Sequence, residues 1–102
     1  MKYPIDAEKY IEALRLEFGP VSECREEAYR EVVRLVNMCY ADGLQNKSGY
    51  PLDPDEERRA FAEASGEDLE GIRNNPLLSQ LICWCNEAYE QGQKEANHEN
   101  QT

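Results

Sequence analysis

The chain has 102 residues, of which 21 are acidic and 11 are basic, so its formal net charge is −10. This acidity argues against direct binding of nucleic acid, because affinity for phosphates depends on a basic surface. The length suits one domain with one hydrophobic core. The first residues form no apolar leader, and no stretch reaches the roughly 18 uncharged residues of a membrane span. We therefore predict a soluble, cytoplasmic protein without a membrane partner.

The first helix is predicted over residues 7–18. Asp6 suits its N-cap position, and Gly19 can take the left-handed conformation that ends a helix, with a proline directly after it. Leu16 points away from the predicted core face. That face contains Ala7, Tyr10, Ile11, Leu14 and Phe18.

The second helical pattern, residues 21–43, is the longest in the chain, and the other helices are predicted to pack around it. Ser22 is the predicted N-cap, and Gly43 is predicted to end the helix in the left-handed conformation, with Leu44 packing back on the last turn. At about 100° per residue, the apolar residues form two adjacent stripes. One contains Cys24, Ala28, Val32, Leu35 and Cys39, and the other contains Tyr29, Val33, Val36 and Tyr40.

A loop is predicted over residues 44–54, which are rich in Asn, Ser, Gly and Pro. Asp53 followed by Pro54 is a strong helix start, because it places a capping side chain before a proline at the first helical position. The pattern that follows breaks at Gly66. The third helix is therefore predicted as two short helices, over residues 54–64 and 67–73.

The last helix is predicted to begin at Asn75-Pro76, which repeats the start signal, and to run to about residue 94. Residues 1–95 are predicted to form one helical domain, and the polar residues 96–102 a disordered tail. The fold class is thus all-α, a compact bundle of four main helices with the third broken into two. The predicted buried face of the last helix contains Leu77, Leu78, Leu81, Trp84, Cys85, Ala88 and Tyr89.

No catalytic constellation is recognisable. The only histidine, His98, falls in the predicted tail, where no scaffold would hold it beside a nucleophile. Pairs of carboxylates on acidic helices are mostly solvated surface. We therefore predict no catalytic residues and no enzymatic activity.

The cysteines indicate neither a metal nor another cofactor. Cys83 and Cys85 lie two residues apart in a helical pattern, which directs their sulfurs about 160° apart and prevents them from sharing an ion. Cys24, Cys39 and Cys85 fall on apolar stripes and are predicted to be small, buried, reduced residues.

Cys83 is the exception among the thiols. It shares the opposite face of the last helix with Asn86 and Glu90. This face is predicted either to be exposed to solvent or to be a second interface, covered by another subunit or a partner.

The segment ERRAFAEASGEDLEGIRNN, residues 57–75, resembles the corner of a helix-turn-helix motif. Ala62, Gly66 and Ile72 lie at the offsets of its small residue, turn glycine and buried aliphatic residue, with Leu69 as a further core contact. A DNA-binding member would present basic and amide side chains from the second helix. Here that helix carries mainly acids, so we expect the turn geometry without DNA binding.

Half of the excess negative charge lies in residues 53–73, which contain eight acids and three arginines. Acids away from the apolar positions should face water, and they form either a solubilising face or a partner-binding surface. The predicted partner-binding residues are Asp55, Glu56, Glu63, Glu67, Asp68 and Glu70.

We therefore predict a non-enzymatic protein-protein interaction protein that docks on a basic surface of its partner and can inhibit a nucleic-acid-binding protein by mimicking nucleic acid. A small acidic helical domain of this kind is similar in character to phage-encoded inhibitors of nucleic-acid enzymes, anti-CRISPR proteins among them. The alternative is a regulatory or structural homo-oligomeric subunit with a helix-turn-helix-like corner.

Overall fold

The computed structural model describes residues 2–66 and 76–100. These ranges contain four α-helices and no β-strand, so the predicted compact all-α bundle is confirmed. None of these four helices is long and apolar enough to cross a membrane. The helices are α1, Ala7–Phe18; α2, Glu23–Leu44; α3, Pro54–Ser65; and α4, Pro76–Asn100.

Three predicted N-caps start the first three helices. The Asp6 side chain accepts hydrogen bonds from the backbone N–H groups of the first turn of α1, at 3.0 and 3.3 Å. Ser22 accepts from the backbone of α2 at 3.3 Å, and Asp53 accepts from that of α3 at 3.0 Å. These bonds satisfy N–H groups that have no partner inside the helix.

The predicted end positions of α1 and α3 are also confirmed, but only Gly66 takes the left-handed α conformation, since Gly19 combines its positive φ with a ψ of −167°. Gly19 and Gly66 have φ angles of 84° and 72°, and the N–H of each donates to a carbonyl of the preceding turn at 2.9 Å. The helix predicted over residues 67–73 lies outside the described residues, as do Leu69 and Ile72 of the helix-turn-helix-like pattern. The break of the third helix into two short ones therefore stays a prediction.

The prediction that Gly43 ends α2 is wrong. The helix continues to Leu44, and Asn46 rather than Gly43 takes a positive φ, at 52°. Gly43 is buried where α2 crosses α4, and a Cβ added there would lie 2.9 Å from the carbonyl carbon of Tyr89 and still closer to its oxygen. A Cβ on Gly92, on the other side of this crossing, would lie 2.8 Å from the backbone nitrogen of Leu44. The two glycines therefore serve the close approach of the helices.

The core lies mainly between α2 and α4, which form the most extensive helix pair. From α1 only Ile11 is fully buried. Ile82, which was not predicted on the buried face of α4, is buried as well. The buried hydrophobic residues are Ile11, Val33, Val36, Cys39, Ile82, Cys85, Ala88, Tyr89 and Ala96.

Three residues predicted to be buried are exposed. Cys24 lies near the exposed start of α2, and Ala28 borders an open cavity instead of packing on a neighbour. Phe18, the last residue of α1, is 74% exposed, because no other described element covers it. Leu35 is only half-buried. Near the start of α2, the predicted apolar stripes therefore include residues that no neighbouring helix covers.

The last helix is longer than predicted. It continues past residue 94 to Asn100, so residues 96–100, predicted as a disordered tail, are helical. Ala96 is buried, and the Tyr40 hydroxyl of α2 donates a hydrogen bond to the carboxylate of Glu95. Packing against α2 thus stabilises a stretch whose polar composition predicted no structure.

Candidate functional site

Three of the six predicted partner-binding acids lie on α3, and all three are exposed: Asp55, Glu56 and Glu63. Glu56 and Glu63 are seven residues apart and therefore share one face of the helix. Asp55 lies 3.4 Å from the guanidinium of Arg58. The other three predicted acids lie outside the described residues: Glu67, Asp68 and Glu70.

Arg58 is turned inward from this surface. Its side chain is mostly covered, and its Nη2 donates a hydrogen bond to Ser79 Oγ of α4 at 2.5 Å. Arg59 is the exposed arginine of α3, on the face that carries Glu56 and Glu63. Arg58, one of the two arginines of α3, thus binds the helix to α4. The outer face of α3 is therefore predominantly acidic.

Much of the remaining positive charge is also paired. The arginines donate hydrogen bonds that hold the pKa of Glu8 and of Glu31 below the usual value. Exposed pairs of this kind contribute little to stability, but they cancel basic charge at the surface. These pairs are Arg15 with Glu26, Arg30 with Glu8, Arg34 with Glu31 and Lys47 with Asp42.

The three residues of the predicted second interface differ in their exposure and contacts. Cys83 and Glu90 are exposed, as one of the predicted alternatives requires. Asn86, however, faces the loop before α3: its Oδ1 accepts from the Leu52 N–H at 2.7 Å, and its Nδ2 donates to the Leu52 carbonyl at 3.1 Å. Asn86 therefore has a structural role, since it binds the loop before α3 to α4.

A cavity of about 380 Å³ lies between α2, α3 and α4, with the two buried thiols in its wall. Cys85 donates a hydrogen bond to Cys39, which lowers the pKa of Cys39 to about 7 and raises that of Cys85, with burial adding to the increase. The Tyr50 hydroxyl lies 2.8 Å from Asp42 Oδ2 and 3.4 Å from Cys39 Sγ. Burial, followed by these hydrogen bonds, raises the pKa of Tyr50.

We expect the four thiols to react in two classes. Cys24 and Cys83 are exposed and should be alkylated by a maleimide in the folded protein, whereas Cys39 and Cys85 should react only on unfolding, because exposure controls access. Mass spectrometry of peptides after timed labelling measures this directly. Rapid native labelling of Cys39 would contradict the burial. Single Cys24→Ser and Cys83→Ser variants serve as matched controls for the two fast sites.

A second cavity, of about 420 Å³, lies where the chain start and α1 meet α4. Its wall contains three aromatic rings, a carboxylate and an amide: Tyr3, Tyr10, Trp84, Glu87 and Gln91. We call this set the aromatic cavity. Burial raises the pKa of Tyr3 and of Tyr10, and the nearby Glu87 carboxylate raises that of Tyr3 further.

Sequence reasoning missed the aromatic cavity. It placed Tyr10 and Trp84 on core faces of separate helices and assigned Tyr3 no role. The high content of tyrosine, six residues, was the available signal, but it does not indicate which rings meet.

Comparisons of the chain with protein families, with curated proteins and with solved structures found no match.

Proposed function

We propose that this protein is a non-enzymatic binding protein that docks through the acidic outer face of α3 on a basic surface of a protein partner. A partner whose basic surface binds nucleic acid fits this charge, and the bound protein would then compete with the nucleic acid and inhibit it. Complementary charge would accelerate the encounter and select the partner.

The observation that carries this proposal is the distribution of charge on α3. Glu56 and Glu63 are exposed on one face, while Arg58 is withdrawn to Ser79. Three arginines on the other helices, Arg15, Arg30 and Arg34, are paired with carboxylates, and the whole chain carries a net charge of −10.

The test is a double charge reversal, Glu56→Lys with Glu63→Lys. Partner proteins are captured from lysate on the immobilised wild-type chain, identified by mass spectrometry and purified for titration. We expect the double variant to bind roughly 10-fold or more weakly at low salt and to lose most of the salt dependence, because steering by these charges is removed. Folding should be unchanged, since exposed substitutions usually alter stability by about 0.5 kcal/mol or less.

The matched control reverses two exposed acids elsewhere, Glu17 on α1 and Glu27 on α2. It changes the net charge by the same amount, so it separates a local docking surface from a general effect of charge. Equal weakening by the two double variants, or unchanged affinity of the α3 variant, would contradict docking through α3.

A homo-oligomeric subunit is the second candidate, and exposed apolar side chains favour it. Leu16 is 82% exposed and Phe18 is 74% exposed, both near the end of α1. Apolar surface of this kind is often covered by a second subunit. Sedimentation over a range of salt concentrations discriminates the candidates, because an apolar interface holds or tightens as ionic strength rises, whereas electrostatic docking weakens.

A further inference from the structure

The aromatic cavity presents three ring systems around one space. The centroids of Tyr10 and Trp84 are 5.8 Å apart and their planes are inclined by 47°, so the two rings form adjacent walls instead of a closed stack. Tyr3 supplies a third wall, and its hydroxyl accepts a hydrogen bond from Trp84 Nε1 at 3.0 Å. The volume, about 420 Å³, is in the range of small-molecule sites.

The walls are held in place by contacts outside the cavity. Tyr3 stacks on Tyr40, with centroids 5.4 Å apart, and Tyr10 meets Tyr29 edge-on at 6.3 Å. The chain start is fixed by Asn37, which exchanges two hydrogen bonds with the backbone of Ile5, at 2.8 and 2.9 Å. A site whose rings are already oriented loses little entropy when a ligand binds.

The charge of the cavity is negative. Glu87 is the only charged residue in its wall, and no ion pair of Glu87 occurs among the described residues. The nearest lysines along the chain, Lys2 and Lys9, line a neighbouring cavity that shares only Tyr10 with this one. Aromatic faces and a carboxylate both attract a cation, so the two features favour the same class of ligand.

We propose that the aromatic cavity binds a trimethylammonium group, with its methyl groups against Tyr3, Tyr10 and Trp84 and its charge opposite Glu87. A quaternary ammonium donates no hydrogen bonds and is weakly hydrated. The free-energy cost of moving it from water into a cavity lined largely by aromatic rings is therefore low. A primary ammonium has three donors that need acceptors. The site shares no residue with the acidic face of α3 and is independent of the proposed docking.

Trp84 is the only tryptophan in the chain, so its fluorescence reports directly on the cavity. We would titrate the full chain with tetramethylammonium chloride, with sodium chloride at equal ionic strength as the reference. The expected result is a saturable change with tetramethylammonium alone. The uncharged carbon isostere of choline, 3,3-dimethylbutanol, should bind about 3- to 30-fold more weakly than choline, as the loss of a cation–π interaction predicts.

Choline and a peptide with trimethyllysine distinguish the two sources of this group. Tighter binding of choline assigns a small metabolite, and tighter binding of the peptide assigns a methylated protein. The unmethylated lysine peptide should bind several-fold more weakly than the trimethylated one. Measurable and equal binding of both peptides, equal binding of choline and its neutral isostere, or no saturable change with any ammonium probe would overturn the proposal.

Variants link the binding to the named residues. Glu87→Gln should weaken choline binding about two- to fivefold, whereas Glu90→Gln, an exposed acid on the same helix outside the cavity, should leave it unchanged. Tyr10→Phe keeps a ring and should retain binding, while Tyr10→Leu should lose most of it. Circular dichroism confirms that each variant is folded, and equal effects of Glu87→Gln and Glu90→Gln would contradict the site even if Tyr10→Leu failed to fold.

Discussion

Replacing Ile11 by alanine should lower the free energy of unfolding by about 2–5 kcal/mol, the usual cost of deleting most of a fully buried aliphatic side chain. Ile11 has no exposed surface and is the only buried residue of α1. Its loss would leave a cavity where α1 packs against the rest of the bundle. Urea denaturation followed by circular dichroism at 222 nm measures the change.

The matched control is Leu16→Ala on the same helix. Leu16 is 82% exposed, so its replacement should change the free energy of unfolding by about 0.5 kcal/mol or less. Comparable losses in the two variants would mean that Leu16 is covered in solution. That outcome would favour the homo-oligomer, and it would be accompanied by a larger species in sedimentation.

Replacing Gly92 by alanine should destabilise the protein by about 1–3 kcal/mol or more, the cost of overpacking a tight contact. Its Cβ would lie 2.8 Å from the backbone nitrogen of Leu44, and backbone cannot move aside as a flexible side chain can. Alanine is about 1 kcal/mol better than glycine inside a helix, so the steric effect must exceed this gain. Gly43→Ala, on the facing helix, should have the same sign.

Ala13→Gly on the exposed face of α1 isolates the propensity difference, and we expect it to cost about 1 kcal/mol. If Gly92→Ala instead stabilised the protein by a similar amount, the two helices would not approach as closely as the structure indicates. Thermal unfolding of the three variants at equal protein concentration makes the comparison.

Local patterns predicted part of the candidate surfaces. The exposure of Asp55, Glu56 and Glu63 was predicted from their positions away from Phe61 on the helical period, and all three are exposed. Phe61 is itself 47% exposed, and no residue of α3 is fully buried. For Cys83 the same argument left both an exposed face and a covered interface open, and the thiol is exposed on this single chain. The inward turn of Arg58 could not be predicted, since it depends on Ser79 of another helix.

The aromatic cavity was beyond sequence reasoning for the same reason. Tyr3 and Trp84 are 81 residues apart along the chain, yet they share a hydrogen bond. Each ring was recognisable as apolar, and Tyr10 and Trp84 were correctly placed on inward faces. Which rings meet, and that they leave a space between them, depends on how α1 and the chain start lie against α4.

By itself, the sequence determined the helical class and the starts of the first three helices, because caps such as Asp6 and Asp53 act within one turn of the backbone. The tertiary structure decided the function of Gly43, the length of α4 and the extent of the core. Gly43 resembles a helix terminator locally, but the backbone of Tyr89 passes so close to it that only glycine fits inside the helix. Contacts between segments that are distant in the sequence stabilise or exclude conformations that local propensity leaves open. Local sequence patterns do not show which of these segments will meet.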